Sequence, residues 1–114
     1  MQGSISLLVL NVVAAGALAV ARFVTQAGAY PAAGGAALGV TRTSADAAGD
    51  LVPVDAIGTA IVEAGGTVTA GAAVKVDNTG RVVDHDSTNV KVGRAISGTT
   101  TVGAMVEILL IPNA

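Results

Sequence analysis

Cysteine and tryptophan are missing from this chain of 114 residues, and Phe23 and Tyr30 are its only aromatic side chains. With no cysteine there can be no disulfide and no thiolate metal site, and the redox compartment is left open. Two aromatics give little from which to wall an organic-ligand pocket and no row of rings on which bases could stack. Charge is sparse too: six Lys and Arg stand against eight Asp and Glu, a net charge of −2. Arg22, Arg42, Lys75, Arg81, Lys91 and Arg94 are scattered, so the basic patch of a nucleic-acid-binding protein is absent.

The one long uncharged run, Ile5 to Ala21, invites a membrane or leader reading that its details oppose. Met1 to Ser4 carries no Lys or Arg, which a leader's first region would supply. Asn11 and Gly16 interrupt the run and Arg22 ends it, short of the roughly 20 apolar residues of a spanning helix. No membrane segment is expected.

What the chain does have is Ala, Val and Gly. Its length sets one domain, residues 1–114, around one core. Hydrophobic residues make up 52%, but Ala and Val each remove little area from water. At roughly 25 cal/mol per Å² such a core is modest, so further burial against a partner is expected.

The sequence also repeats itself. Val12-Val13-Ala14-Ala15-Gly16-Ala17-Leu18 aligns with Val62-Glu63-Ala64-Gly65-Gly66-Thr67-Val68, and Val24 with Val74, all fifty residues on. Further along the offset is fifty-four: Gly39 meets Gly93, Gly49 meets Gly103, and Leu51-Val52-x-Val54 meets Met105-Val106-x-Ile108. The halves run approximately 6–55 and 57–111, with the four added residues expected around His85 to Asn89. The second copy carries Glu63, Thr67 and Thr69, a pattern of a soluble β unit, so the first copy is read as β as well.

Alternation dominates the regular stretches. Val74 and Val76, then Val82, and Val90 and Val92 are interleaved with Lys75, Lys91 and Gly93, the period-two pattern of half-buried strands. Asp77-Asn78-Thr79-Gly80 reads as a hairpin turn. Strands are predicted near 6–13, 18–26, 37–43, 51–54, 57–63, 67–76, 81–84, 90–96 and 104–111. Glycine punctuates every Ala run, which argues against helix despite alanine's propensity. At most one short helical turn is predicted, with Ser44 as its cap and Gly49 as its end. The fold class is all-β: a compact β-barrel or β-sandwich-like domain of short strands with an internal duplication.

Catalytic chemistry finds no foothold. In extended Asp84-His85-Asp86 the His faces away from both acids, and a single His leaves no second imidazole for zinc. No Gly-x-Ser-x-Gly elbow is present. Gly66 and Gly71 have phosphate-loop spacing, but Ala72-Ala73 stand where Lys-Ser/Thr would be. Val-Lys-Val around Lys75 resembles the hairpin of biotinyl and lipoyl carriers, whose modified Lys sits at the turn; here the turn is Asp77–Gly80, so Lys75 reads as a solvated strand residue. No catalytic residue, metal site or cofactor is expected.

Taken in order, the motifs are similar to those of small phage capsid cement, or head decoration, proteins. They are Ala-Ala-Gly-Ala-Leu-x-x-x-Arg-Phe-Val at 14–24, the stretch Gly39 to Gly49, Gly58-Thr59-Ala60-Ile61-Val62-Glu63-Ala64-Gly65, and Val-Thr-Ala-Gly-x-x-Val at 68–74. Gly80-Arg81-Val82-Val83, Val92-Gly93-Arg94-Ala95 and Val106-Glu107-Ile108-Leu109-Leu110 follow. The resemblance covers nearly the whole chain. It implies a β domain made in the host cytoplasm that binds the outer surface of the assembled head as a homotrimer. There it would sit at three-fold and quasi-three-fold positions, bridge major capsid protein subunits and stabilise the shell. Other readings are a β module of a phage tail or bacterial surface assembly, and a carrier or ligand-binding domain centred on Lys75 or Asp84–Asp86. Candidate interface residues are Gln2, Ile5, Leu8, Leu10, Met105, Ile108 and Leu110. They lie on terminal strands that would otherwise leave long edges exposed, and Met1–Ser6 is a candidate for strand addition to a neighbour.

Overall fold

Alternating Val resolves into strands wherever no turn interrupts it. The computed structural model describes residues 4–86 and 88–111. It contains β1 (Ile5–Val13), β2 (Phe23–Val24), β3 (Gly39–Thr41), β4 (Leu51–Glu63), β5 (Ala73–Val76), β6 (Val82–Asp84), β7 (Gly93–Ala95) and β8 (Met105–Leu110). The eight strands form one sheet of order β2-β3-β4-β8-β7-β5-β6, with β1 paired to β4. All pairings between the named strands are antiparallel, and the sheet curls into a half-barrel. The fold is all-β, with no helix among the described residues.

Several predicted boundaries move, each for a local reason. The long strands expected at 18–26 and 67–76 shrink to β2 and β5. In both places the backbone turns into the left-handed region, at Ala21 (φ 61°) and at Gly71 (φ 84°). The strands expected at 51–54 and 57–63 fuse into β4, running through Pro53 and Gly58. Pro53 offers only its carbonyl, which accepts the Arg42 N–H at 2.9 Å. Gly58 (φ 113°) sits where a Cβ would drive into the Ile5 carbonyl oxygen; this close approach marks a bulge in the β1–β4 register between Ser6 and Val9. The predicted helical turn at Ser44–Gly49 is a bend instead. Its amides are tied from the far end, where the Asp50 carboxylate accepts the N–H of Asp46 (3.0 Å) and of Ala47 (3.2 Å).

The pairings carry the two sequence offsets. Phe23↔Val40 and Val24↔Gly39 recur as Ala73↔Arg94 and Val74↔Gly93. Val40↔Asp55 and Thr41↔Val54 recur as Arg94↔Leu109 and Ala95↔Ile108. The run from Val9↔Asp55 to Val13↔Leu51 recurs as Thr59↔Leu109 to Glu63↔Met105. Even the isolated bridge Leu18↔Ala45 recurs, as Val68↔Thr99. The offset changes inside the β5–β6 hairpin: the Thr25 N–H bonds Ala29 as Lys75 pairs Val83, and the Ala15 N–H bonds Gly28 as Gly65 bonds Val82. The four added residues therefore lie between Lys75 and Val82, in the Asp77–Gly80 turn, and not around His85 to Asn89.

Burial follows the same plan. Val12, Ala14, Leu18, Val24, Val52 and Val54 form one buried cluster with Ala45. Their counterparts Val62, Ala64, Val68, Val74, Val106 and Ile108 sit in the other. Phe23, Ala37 and Val40 come from the first half but pack into that second cluster, so they join the halves. Phe23 is the bulkiest fully buried side chain. Phe23→Ala should therefore lower unfolding free energy by about 3–5 kcal/mol, the usual cost of deleting a buried aromatic. Denaturant titration checks this, and a loss below about 1 kcal/mol would show that Phe23 does not join the two clusters.

Candidate docking surface

In β1 seven consecutive residues, Ile5 to Asn11, are exposed. A strand apolar at nearly every position would normally be covered on both faces, yet in β1 only Val12 is buried. Ile5 (63% exposed), Leu7 (72%), Leu8, Val9, Leu10 and Val13 all present side chains to solvent, and Leu51 and Ile57 of β4 join them across the ladder. Contiguous exposed apolar surface of this kind is a candidate contact site. No Asp, Glu, Lys or Arg lies in β1.

Polar groups fix this ladder at its N-terminal end. The Ser6 hydroxyl donates to Asp55 Oδ1 at 2.6 Å, and the Ile5 N–H donates to Thr59 Oγ1 at 2.9 Å. Arg42 Nε stands 3.9 Å from the same Asp55 oxygen, which compensates a buried carboxylate. Beside Asp55 an open cleft of about 340 Å³ runs between the halves, lined by Ser4, Val20, Thr41, Arg42, Ile61 and Met105 among others. Thr41 is satisfied within it: its hydroxyl donates to the Ala19 carbonyl at 2.9 Å and accepts the Arg22 N–H at 3.1 Å.

The sequence-predicted interface residues separate into three groups. Ile5, Leu8, Leu10 and Met105 are exposed as expected for contact positions. Ile108 (0% exposed) and Leu110 (6%) face inward and belong to the core. β8 lies between β4 and β7, so it leaves no edge strand at the C-terminal end. Gln2 lies outside the described residues. Leu7, Val13, Leu51 and Ile57 went unnamed in the sequence; two register shifts between Ser6 and Val9 and the pairing of β1 with β4 set this ladder, and neither shows in a single strand's pattern.

The remaining polar clusters are locally engaged. Glu63 Oε2 takes Arg22 Nη2 at 2.9 Å and also pairs with Arg81, while Arg22 Nη1 donates to the Thr79 carbonyl at 3.0 Å. Asp84 accepts both the N–H and the hydroxyl of Thr69, each at 2.7 Å. Asp86 pairs with Lys75 at 2.7 Å and accepts from Thr88 and Asn89. The Lys75 contact and these donors hold its carboxyl well below the usual carboxylate range. His85 Nε2 lies 2.5 Å from the Asn89 carbonyl oxygen. Among the described residues no three His, Cys, Asp or Glu are placed to hold a metal ion.

No curated protein sequence matches the chain. Among solved structures it is similar to the head fiber gp8.5 N base in bacteriophage phi29, with a TM-score of 0.75 and 18% identity. The match covers 91% of this chain and 93% of that one, a likeness of fold. The family model described as phage cement protein matches residues 3–110. The chain therefore belongs to the phage cement protein family, a structural class associated with the virion capsid.

Proposed function

We propose that the protein, made in the host cytoplasm, binds the outer surface of the assembled head and stabilises it without catalysing a reaction. It bridges neighbouring major capsid protein subunits as a homotrimer over three-fold and quasi-three-fold positions. The observation that carries this reading is the uncovered apolar β1–β4 ladder, backed by the family to which the chain belongs. A protein that binds the shell and not its dissociated subunits stabilises the shell by mass action. Each site contributes a few kcal/mol at most, and the shell repeats the contact many times.

The ladder contains so few charges that the contact is apolar and backbone-mediated. Heads prepared without the protein should release DNA at lower temperature than decorated heads, and adding the purified protein back should restore resistance. Binding should persist at 1 M salt, where the Debye length falls to about 3 Å. Identical release from bare and decorated heads would replace the cement reading with that of a β module on a surface assembly. Leu8→Lys and Leu10→Lys should each weaken head binding roughly ten- to hundredfold, as expected from losing a buried Leu contact. Full occupancy by both variants would place the contact elsewhere on the sheet.

A further inference from the structure

At the wall of the cleft the first half shares its backbone with the second but not its chemistry. The Arg42 N–H bonds the Pro53 carbonyl as the Ile96 N–H bonds Glu107, and the Ala21 N–H bonds Thr41 as the Gly71 N–H bonds Ala95. The side chains differ. Asp55 and Arg42 stand where the second half has Leu109 and Ile96, and Thr41 stands where it has Ala95. Ala21, in the same wall, keeps the left-handed conformation (φ 61°) that its counterpart leaves to glycine, Gly71 (φ 84°). Backbone held in that region without glycine is costly and collects at ligand clamps.

A buried acid is also a costly choice where leucine serves the same fold, and the fold leaves part of its capacity unused. The Asp55 side chain is 5% exposed, and both of its contacts run through Oδ1, to the Ser6 hydroxyl at 2.6 Å and to Arg42 Nε at 3.9 Å. Among the described residues Asp55 Oδ2 accepts no hydrogen bond, and the two Nη nitrogens of Arg42 donate none. Arg42 offsets the charge of Asp55, so the pair is neutral; what it lacks is a donor for the acid and an acceptor for the guanidinium. In an extended peptide the N–H and C=O of one residue project to the same side, so a single residue supplies both. Val20, Ile61 and Met105 wall the remaining space of about 340 Å³, which suits apolar side chains. Ser4 lines the cleft and leads directly into β1, so the cleft continues the exposed ladder.

We propose that this cleft takes an extended, uncharged segment of the major capsid protein. One residue of that segment donates its N–H to Asp55 and accepts from Arg42 through its carbonyl, while neighbouring apolar side chains lie against Val20, Ile61 and Met105. The proposal rests on the capsid reading and adds to it the pair of side chains that selects the partner.

Arg42→Ile combined with Asp55→Leu gives the cleft the residues of the second half. Replacing an ion pair by apolar residues costs a fold little, and Ser6 is exposed, so water takes its hydroxyl. Purified R42I/D55L should keep the wild-type urea midpoint yet bind bare heads roughly ten- to hundredfold more weakly, as expected from two lost hydrogen bonds. The deficit should be the same at 1 M salt. A pair that served only the fold would give the reverse, a lower midpoint with full binding, and would overturn the proposal. A deficit that disappears at 1 M salt would do so too, by marking a charged occupant. Wild-type protein that self-associates in solution where the double variant does not would put a second copy in the cleft, against the proposal. If the double variant does not fold, Arg42→Gln decides: binding should fall several-fold with the midpoint unchanged, and full binding would overturn the proposal. Wild-type protein that does not bind bare heads would refute the capsid reading itself, whereas wild-type binding matched by the variant refutes the cleft alone.

Discussion

β4 carries hydrogen-bonded neighbours on both of its edges: β1 from Leu51 to Thr59, β3 at Val54 and Asp55, and β8 from Thr59 to Glu63. Its first nine residues act as the last strand of one half, and its last nine as the first strand of the other. Residues 55–59 do both. The two half-sheets therefore share backbone, and neither can open without stripping bonds from the strand that holds the other. That sharing also fixes where the surface is incomplete. The strand that opens the first half, β1, has only β4 beside it.

The join between halves is reinforced by groups that break the repeat. Phe23 replaces a small counterpart, Ala73, and fills the second cluster from the first half. Glu63, at the end of β4, gathers Arg22 from before β2 and Arg81 from just after the Asp77–Gly80 turn. Such a partly buried cluster adds little net stability. It does tie three separate segments to one carboxylate, and Arg81 reaches it from beyond the four-residue insertion that lengthens the second hairpin.

The fold class and the repeat were legible because period-two Val and glycine-punctuated Ala are local signals. The hairpin at Asp77–Gly80 was legible for the same reason. Strand lengths were less so: a positive φ at Ala21 carries no mark in an Ala-rich run, and its counterpart Gly71 reads as one glycine among many. The candidate docking surface was half legible. Ile5, Leu8 and Leu10 are apolar on a terminal strand and are exposed, but Ile108 and Leu110 look the same in sequence and are core residues. The difference is whether a second neighbour flanks the strand, which is a property of topology and not of either segment. The Asp55–Ser6 bond joins residues 49 apart in sequence and leaves no local trace.

The account stands on one spatial claim, that the uncovered β1–β4 ladder faces the shell. Electron cryo-microscopy of decorated heads, at a resolution that separates strands, tests it most directly. The account predicts density for Leu8, Leu10, Val13 and Leu51 against the major capsid protein. A reconstruction in which the ladder lies open to solvent and another surface meets the shell would contradict it.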